Sequence, residues 1–200
     1  KWEARKGQIE LLRAFSEVFK NVQNVELLVA WDNPFIPNFS LEKEIKQLRL
    51  AHIPQIRVAS AFRTASDMAT LYNMADCFVL PTKGEGWGLP ITEAMACGLP
   101  VITTKHSAVC DYANDDNAYL IPVKKLTPVY DPRFFPVPGE CGQWAEIDYP
   151  ILKELLWHVY THRDEMSQKG AQAHHDMHTQ WTWDHAAQKA YNQLKKNSLL

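Results

Sequence analysis

The 200-residue sequence is poor in several features, and each shortage removes a class of protein. No apolar run approaches the ~18–20 residues that a membrane-spanning helix needs. Neither sign of charge dominates: 21 basic residues face 23 acidic ones, for a formal net charge of -2. That balance supplies neither the basic footprint of a nucleic-acid binder nor a polybasic anchor for a membrane surface. Cysteine is scarce, and none of Cys77, Cys97, Cys110 and Cys141 forms a Cys-x-x-Cys pair. Three of them lie in or beside apolar stretches, so reduced, buried thiols in a reducing compartment are expected. What is present is a hydrophobic fraction of 46% with 11% aromatics, enough for one sizeable core and too much for disorder. The sequence opens on Lys1 rather than Met, and Lys1-Trp-Glu-Ala-Arg-Lys-Gly7 reads as a loop feeding a helix. A start in mid-motif is expected of a piece of a longer protein.

Periodicity then organises the chain. Ile9, Leu12, Phe15, Val18 and Phe19 recur at helical spacing, which predicts a helix over 6–19. Val25–Trp31 is an apolar run of strand length, closed by the Asp32-Asn33-Pro34 turn. Residues 41–50 read as a helix with Ser40 as N-cap, and 66–74 as another. Strands are predicted at 56–61, 77–80, 101–104 and 118–121, with a short helix over 90–97. Buried apolar strands alternating with helices imply an α/β fold: a parallel sheet with helices on both faces. The alternation breaks over 122–150, which holds six of the twelve prolines with Gly139 and Gly142 and is expected to be irregular. Three helices are expected after it, roughly 151–162, 163–178 and 182–196.

The stretch from Leu80 to Ile102 carries the chemistry. It reads as a buried strand, a glycine-rich loop, a helix, a Gly-Leu-Pro turn and a second buried strand. In a parallel sheet, the loop after a strand lies at the carboxyl edge, where ligands of open α/β folds bind. Pro90 suits the first helical position, so free amides are expected at Gly88, Leu89, Ile91 and Thr92 or their neighbours. Glycines at 84, 86 and 88 let backbone approach a ligand, and exposed amides at a helix start favour phosphate. Glu85 and Glu93 flank this anion site. A carboxylate accepts two hydrogen bonds side by side and suits vicinal diols, so a phosphate between hydroxyl-rich groups, as in a nucleotide sugar, fits the pattern. Spacing leaves the plainer alternatives open: another anion in the loop, and two glutamates that are solvated surface charges.

The segment Glu85-Gly-Trp-Gly-Leu-Pro-Ile-Thr-Glu93-Ala-Met-Ala-Cys-Gly-Leu-Pro-Val-Ile closely resembles the E-x7-E signature of GT-B retaining glycosyltransferases of the group 1, or family 4, type. Lys1–Gly7 running into Leu11-Leu12-Arg13-Ala14-Phe15 looks like the family's basic loop and first helix. Leu71–Asp76 with Cys77–Pro81 matches its helix and strand ahead of the signature, and Gly142–Glu146 and Trp181-Thr182-Trp183 look like C-terminal landmarks. The resemblance implies that residues 1–200 are the Rossmann-like, donor-binding C-terminal half of a two-domain enzyme, with 151–200 as a helical tail. It implies transfer of a sugar from a nucleoside diphosphate to an acceptor hydroxyl with retention, in polysaccharide or glycoconjugate biosynthesis. The acceptor, a glycan, lipid or protein, would sit on an N-terminal domain outside this sequence, and the isolated half is expected to be inactive.

By position in that pattern, Glu93 would hold ribose hydroxyls and Glu85 hydroxyls of the donor sugar. Amides of Gly86, Trp87, Gly88 and Leu89 would meet the sugar and distal phosphate. Lys6 matches the diphosphate-binding lysine, and Lys1 falls where arginine is usual, keeping charge without a bidentate grip. Glu85 and Lys6 are the expected catalytic pair, and the base would lie near Ala61, Phe62 and Arg63. Departures are Trp31–Pro34 in place of a glycine-rich turn, Asp111 where many members have glutamate, and the long 122–141 segment.

No cofactor is implied beyond the donor substrate. No Asp-x-Asp element is present, so no metal is expected, and the helix start with the two lysines would hold the leaving diphosphate. The alternatives are a non-catalytic nucleotide-sugar binding module and another GT-B enzyme, such as a sugar-nucleotide epimerase. The expected location is cytoplasmic, with peripheral membrane association open to the full-length protein. His174 and His178 have a zinc-compatible spacing beside His175 and Asp176, though an exposed helix end explains them equally. Trp87 is expected near the ligand, Trp157, Trp181 and Trp183 in packing, and Cys97 as a small buried residue.

Overall fold

The computed structural model describes residues 1–50, 56–59 and 64–197. A single 3-10 turn over Ala4–Lys6 precedes α1 (Gln8–Val18), whose Leu11, Leu12, Ala14 and Phe15 are buried at the predicted helical spacing. β1 (Leu27–Val29) leads to α2 (Leu41–Gln47), where Ser40 Oγ accepts from the Lys43 amide as the expected N-cap. β2 (Ile56–Val58) is followed by α3 (Ala65–Asn73), started by a reciprocal Thr64–Asp67 capping box. Then come β3 (Phe78–Leu80), α4 (Leu89–Ala96), β4 (Val101–Thr104), a four-residue helix α5 (Val109–Tyr112) and β5 (Tyr119–Ile121). β6 (Val123–Pro128), β7 (Gln143–Ile147), α6 (Tyr149–Thr161), α7 (Arg163–Gln180) and α8 (Trp183–Lys196) complete the order.

Helices cover both faces of the parallel strands. β3, β4 and β5 pair in that order, with Leu80 opposite Thr103 and Ile102 opposite Tyr119. Alternation sends Ile102 and Ile121 to the face covered by α1 and α6, against Phe15, Leu152 and Leu156. Leu80 and Val101 face the other way, against Ile91 and Met95 of α4 and Met177 of α7. All four residues of β4, including Thr103 and Thr104, are buried, as a strand between two helical layers requires. The one expected sheet nevertheless arrives as two parallel blocks, β2-β1 and β3-β4-β5.

The region 122–150 corrects the expectation of irregularity. β6 and β7 form an antiparallel pair, with Leu126 opposite Ala145 and a register shift between Val123 and Leu126. Only Trp144, Ala145 and Ile147 of β7 are buried, while β6 lies largely outside, so neither strand carries clean alternation. The tip of this hairpin is fastened to the rest of the fold. Buried Asp131 accepts from the Ala4 amide (3.3 Å), and Arg133 pairs with Glu44 of α2 (2.7 Å).

Two further expectations fail. Trp183 is 89% exposed and α8 has no buried residue, whereas Trp181 packs against the α4–α7 core. Cys110 and Cys141 are exposed; only Cys77 and Cys97 are partly buried, and burial pushes the Cys77 thiol up to about 12. Both exposed cysteines sit on short or aperiodic pieces that present side chains outward. Among the described residues, no helix is long and apolar enough to cross a membrane.

Candidate functional site

Two loops meet at the carboxyl edge of the strands: Lys1–Gly7 ahead of α1, and Pro81–Gly88 between β3 and α4. Backbone joins them, since the Lys83 amide donates to the Arg5 carbonyl at 2.7 Å. Gly7 allows the approach. Its φ is +69°, and a Cβ there would lie 2.0 Å from the Pro81 carbonyl oxygen. The Trp31–Pro34 turn is attached to the same loop, because the Trp2 amide donates to the Asp32 carbonyl (2.8 Å). Buried Asn33 returns the bond through Nδ2 to the Trp2 carbonyl (2.8 Å).

The joined loops place Lys6 Nζ 2.7 Å from Glu85 Oε1 and Arg5 Nη1 3.1 Å from Glu85 Oε2. The Thr82 hydroxyl donates to Glu85 Oε1 at 2.9 Å, and the Glu85 amide donates to Ser107 Oγ at 2.9 Å. Burial by itself would raise the Glu85 carboxyl. The bond and charge of Lys6, with Arg5 and Thr82, outweigh it and hold the group below the usual glutamate range. Glu85 is therefore an ionised carboxylate with a side chain only 6% exposed. Arg5 also meets Glu3 at 3.0 Å, so two cations face two carboxylates in a neutral cluster.

Arg5, Thr82 and Ser107 are absent from the sequence-derived site. Arg5 had a signal in its place beside Lys6 on the basic loop. Ser107 had none, as it reaches Glu85 only through the fold.

At the start of α4, Gly88 takes a φ of +86°, and a Cβ would sit 2.8 Å from the Tyr112 hydroxyl. The Ile91 and Thr92 amides donate back to the Gly88 carbonyl at 2.8 and 3.3 Å, which corrects the expectation that they are free. The amides of Gly86, Trp87, Gly88 and Leu89 donate to no group among the described residues. Four such donors at the positive end of a helix make an edge whose electrostatics favour an anion. The Trp87 ring lies between Tyr112 (5.2 Å) and Trp181 (5.4 Å) and remains 36% exposed.

Glu93 stands exposed on α4 and accepts from the Tyr72 hydroxyl at 2.9 Å. Burial first, then the Glu93 charge, push the Tyr72 phenol up, so it remains a neutral donor. The Lys1 ammonium lies 4.3 Å over the Phe35 ring. Ala61, Phe62 and Arg63, expected near a base, lie outside the described residues. His174 and His178 both meet the Ala96 carbonyl, at 2.7 and 3.2 Å, and Asp176 accepts from Asn117. These histidines tie α7 to α4, and among the described residues no group of three or more His, Cys, Asp or Glu could hold a metal ion.

A Rossmann-like α/β domain with uncommitted amides at a helix start and a lysine–glutamate pair at its carboxyl edge has the architecture of a GT-B C-terminal half. A family model described as "Glycosyl transferases group 1" matches residues 1–129, and the chain belongs to that family. The capsular polysaccharide biosynthesis glycosyltransferase CapM of Staphylococcus aureus is 30% identical over 117 residues, which are 58% of this chain and 29% of that protein. The crystallised C-terminal domain of the group 1 glycosyl transferase LpcC from Francisella tularensis superposes with a TM-score of 0.66 at 20% identity, covering 91% of this chain and 83% of that one. Anabaena HepE, crystallised with UDP and glucose, gives a TM-score of 0.72 at 19% identity over 98% of this chain and 46% of that one. The chain spans roughly a third or less of the curated relatives it matches.

Proposed function

We propose that residues 1–200 form the donor-binding domain of a retaining glycosyltransferase that takes a nucleoside-diphosphate sugar. The observation that carries this reading is the run of uncommitted amides from Gly86 to Leu89 beside the Lys6–Glu85 pair. Those amides meet the distal phosphate and the sugar. Lys6 has three donors, so it can hold a phosphate oxygen while still bonded to Glu85. Glu93, oriented by Tyr72, accepts from ribose hydroxyls. Negative charge grows on the diphosphate as the glycosidic bond breaks, and fixed amide dipoles with Lys6 stabilise it without reorganisation. Glu85 then positions the donor sugar through its hydroxyls rather than attacking the anomeric carbon. Its partners support that role, because a carboxylate held by a lysine, an arginine and a threonine is a weak nucleophile. The leaving phosphate assists an acceptor hydroxyl on the same face, which accounts for retention. The acceptor, a glycan, lipid or protein, is supplied on an N-terminal half, and turnover requires that half.

Calorimetric titration of the chain with UDP, GDP and ADP tests the reading. One of them is expected to bind, with affinity reduced at least tenfold by Lys6→Met and severalfold by Glu93→Ala. Failure of all three to bind, or binding unchanged by Lys6→Met, would sink it. Glu85→Ala is expected to leave diphosphate binding in place and to abolish most turnover once the N-terminal half is present.

A further inference from the structure

The loop from Pro81 to Gly88 is held by a third segment as well as by the basic loop and α4. Two of its peptide groups bond to the residues that follow β4. The Glu85 amide donates to Ser107 Oγ at 2.9 Å, and that hydroxyl in turn donates to the His106 carbonyl at 2.8 Å. The Tyr112 hydroxyl donates to the Trp87 carbonyl, also at 2.8 Å.

The backbone makes concessions to both bonds. Ser107 takes a φ of +55° without being glycine, a left-handed conformation that is strained for a residue with a Cβ. This turn starts α5, where the Cys110 amide donates to the Ser107 carbonyl at 3.0 Å. Glycine would turn the chain there without strain, but it would leave the Glu85 amide without its acceptor. Tyr112 reaches the Trp87 carbonyl because Gly88 has no side chain; a Cβ there would stand 2.8 Å from the phenol oxygen. Burial first, then the Glu85 charge, push the Tyr112 phenol up, so it stays a neutral donor.

The segment behind these hydroxyls is firmly seated. Val109 and Tyr112 are buried in the core that holds Met95 of α4 and Met177 of α7. Buried Asn117 donates to the Tyr112 carbonyl at 3.0 Å and to Asp176 of α7 at 2.8 Å. A peptide unit is planar and trans, so its N–H points opposite to its C=O. Holding the Trp87 carbonyl against buried Tyr112 therefore turns the Gly88 amide away from that core. The Gly84–Glu85 unit is held at both ends, by Arg5 and Thr82 on its carbonyl and by Ser107 on its amide.

We propose that Ser107 and Tyr112 are positioning residues of this site, which keep the Gly86–Leu89 amides assembled before a ligand arrives. The proposal rests on the reading of those amides as the diphosphate site, and adds that their order is set by the β4–α5 segment. Donors already in place spare the ligand the cost of ordering them.

Ser107→Gly, Ser107→Ala and Tyr112→Phe are compared with the parent chain by 15N relaxation, thermal midpoint and calorimetric titration with UDP, GDP and ADP. Order parameters at 86–88 are expected to fall from about 0.85 in the parent to about 0.6 in each variant. The diphosphate that binds the parent should bind each variant roughly tenfold more weakly. Ser107→Gly should melt above Ser107→Ala, because it alone relieves the left-handed backbone, and yet bind no better. Affinity would then follow the hydroxyl while stability follows the backbone, a split that a purely structural role does not produce. Unchanged order parameters in either Ser107 variant or in Tyr112→Phe overturn the proposal, and so does affinity that recovers with the midpoint in Ser107→Gly. Should the parent bind none of the three diphosphates, the donor-site reading fails, while the order parameters still decide whether these two hydroxyls hold the loop.

Discussion

Lys6 Nζ and Glu85 Oε1 stand 2.7 Å apart although 79 positions separate them in sequence. Gly7 and Pro81 bring the two loops together, and Arg5 supplies a second cation to the same carboxylate. The two residues that the family pattern singles out are thus one ion pair. Lys6 keeps two further donors beside its bond to Glu85, and the surplus positive potential of this edge comes from the α4 amides rather than from the neutral side-chain cluster.

The carboxylate makes a pH prediction. Glu85 is held below its ordinary value of 4.5, so its ionisation adds stability that is complete above that value and lost as pH falls through the folded value. Glu85→Gln is expected to melt below the parent chain at neutral pH, with the difference closing as pH is taken below 4.5. Thermal midpoints across that series check it. A difference that stays constant to the acid end would mean that the pair contributes nothing through ionisation.

Gly7→Ala tests the loop junction. A methyl group would stand 2.0 Å from the Pro81 carbonyl oxygen and would occupy a left-handed backbone. Strain and clash together are expected to cost at least about 2 kcal/mol. For a chain of this size that lowers the midpoint by roughly 4–8 °C. Diphosphate affinity should fall in parallel, since Lys6 moves away from the α4 start. An alanine variant that melts and binds like the parent would show that the junction is not set by this glycine.

Asp131→Ala asks what the 122–150 hairpin does for the site. Asp131 is buried and accepts from the Ala4 and Arg133 amides, at 3.3 and 2.8 Å. Its loss should cost about 1–3 kcal/mol and speed exchange at Ala4 and Arg133 at least tenfold. Unchanged exchange at Ala4 would disconnect the hairpin from the basic loop.

Much of the layered fold is legible in order along the chain. Apolar runs at 27–29 and 78–80 and the Val-Ile-Thr-Thr segment at 101–104 declare strands of a covered sheet, because only strands with helices on both faces accept apolar or β-branched residues at every position. The α1 helix follows from periodicity, and Ser40 announces α2 because a hydroxyl at that position accepts an orphan amide. The β6–β7 pair was hidden. One of its strands is largely solvent-facing, and prolines at 128, 132, 136 and 138 interrupt any alternation.

The sequence by itself determined the order of the parallel strands and of the longer helices, the E-x7-E segment with its glycine-rich approach, and the presence of a lysine ahead of the first helix. These depend on local propensity, spacing and burial pattern, which are properties of contiguous residues. Tertiary structure alone decided that Lys6 is paired with Glu85, that Arg5, Thr82 and Ser107 complete its surroundings, and that the Gly86–Leu89 amides, not those of Ile91 and Thr92, remain available. Each of these depends on distances between segments far apart in the chain, and such distances are set by packing rather than by the residues nearest in sequence.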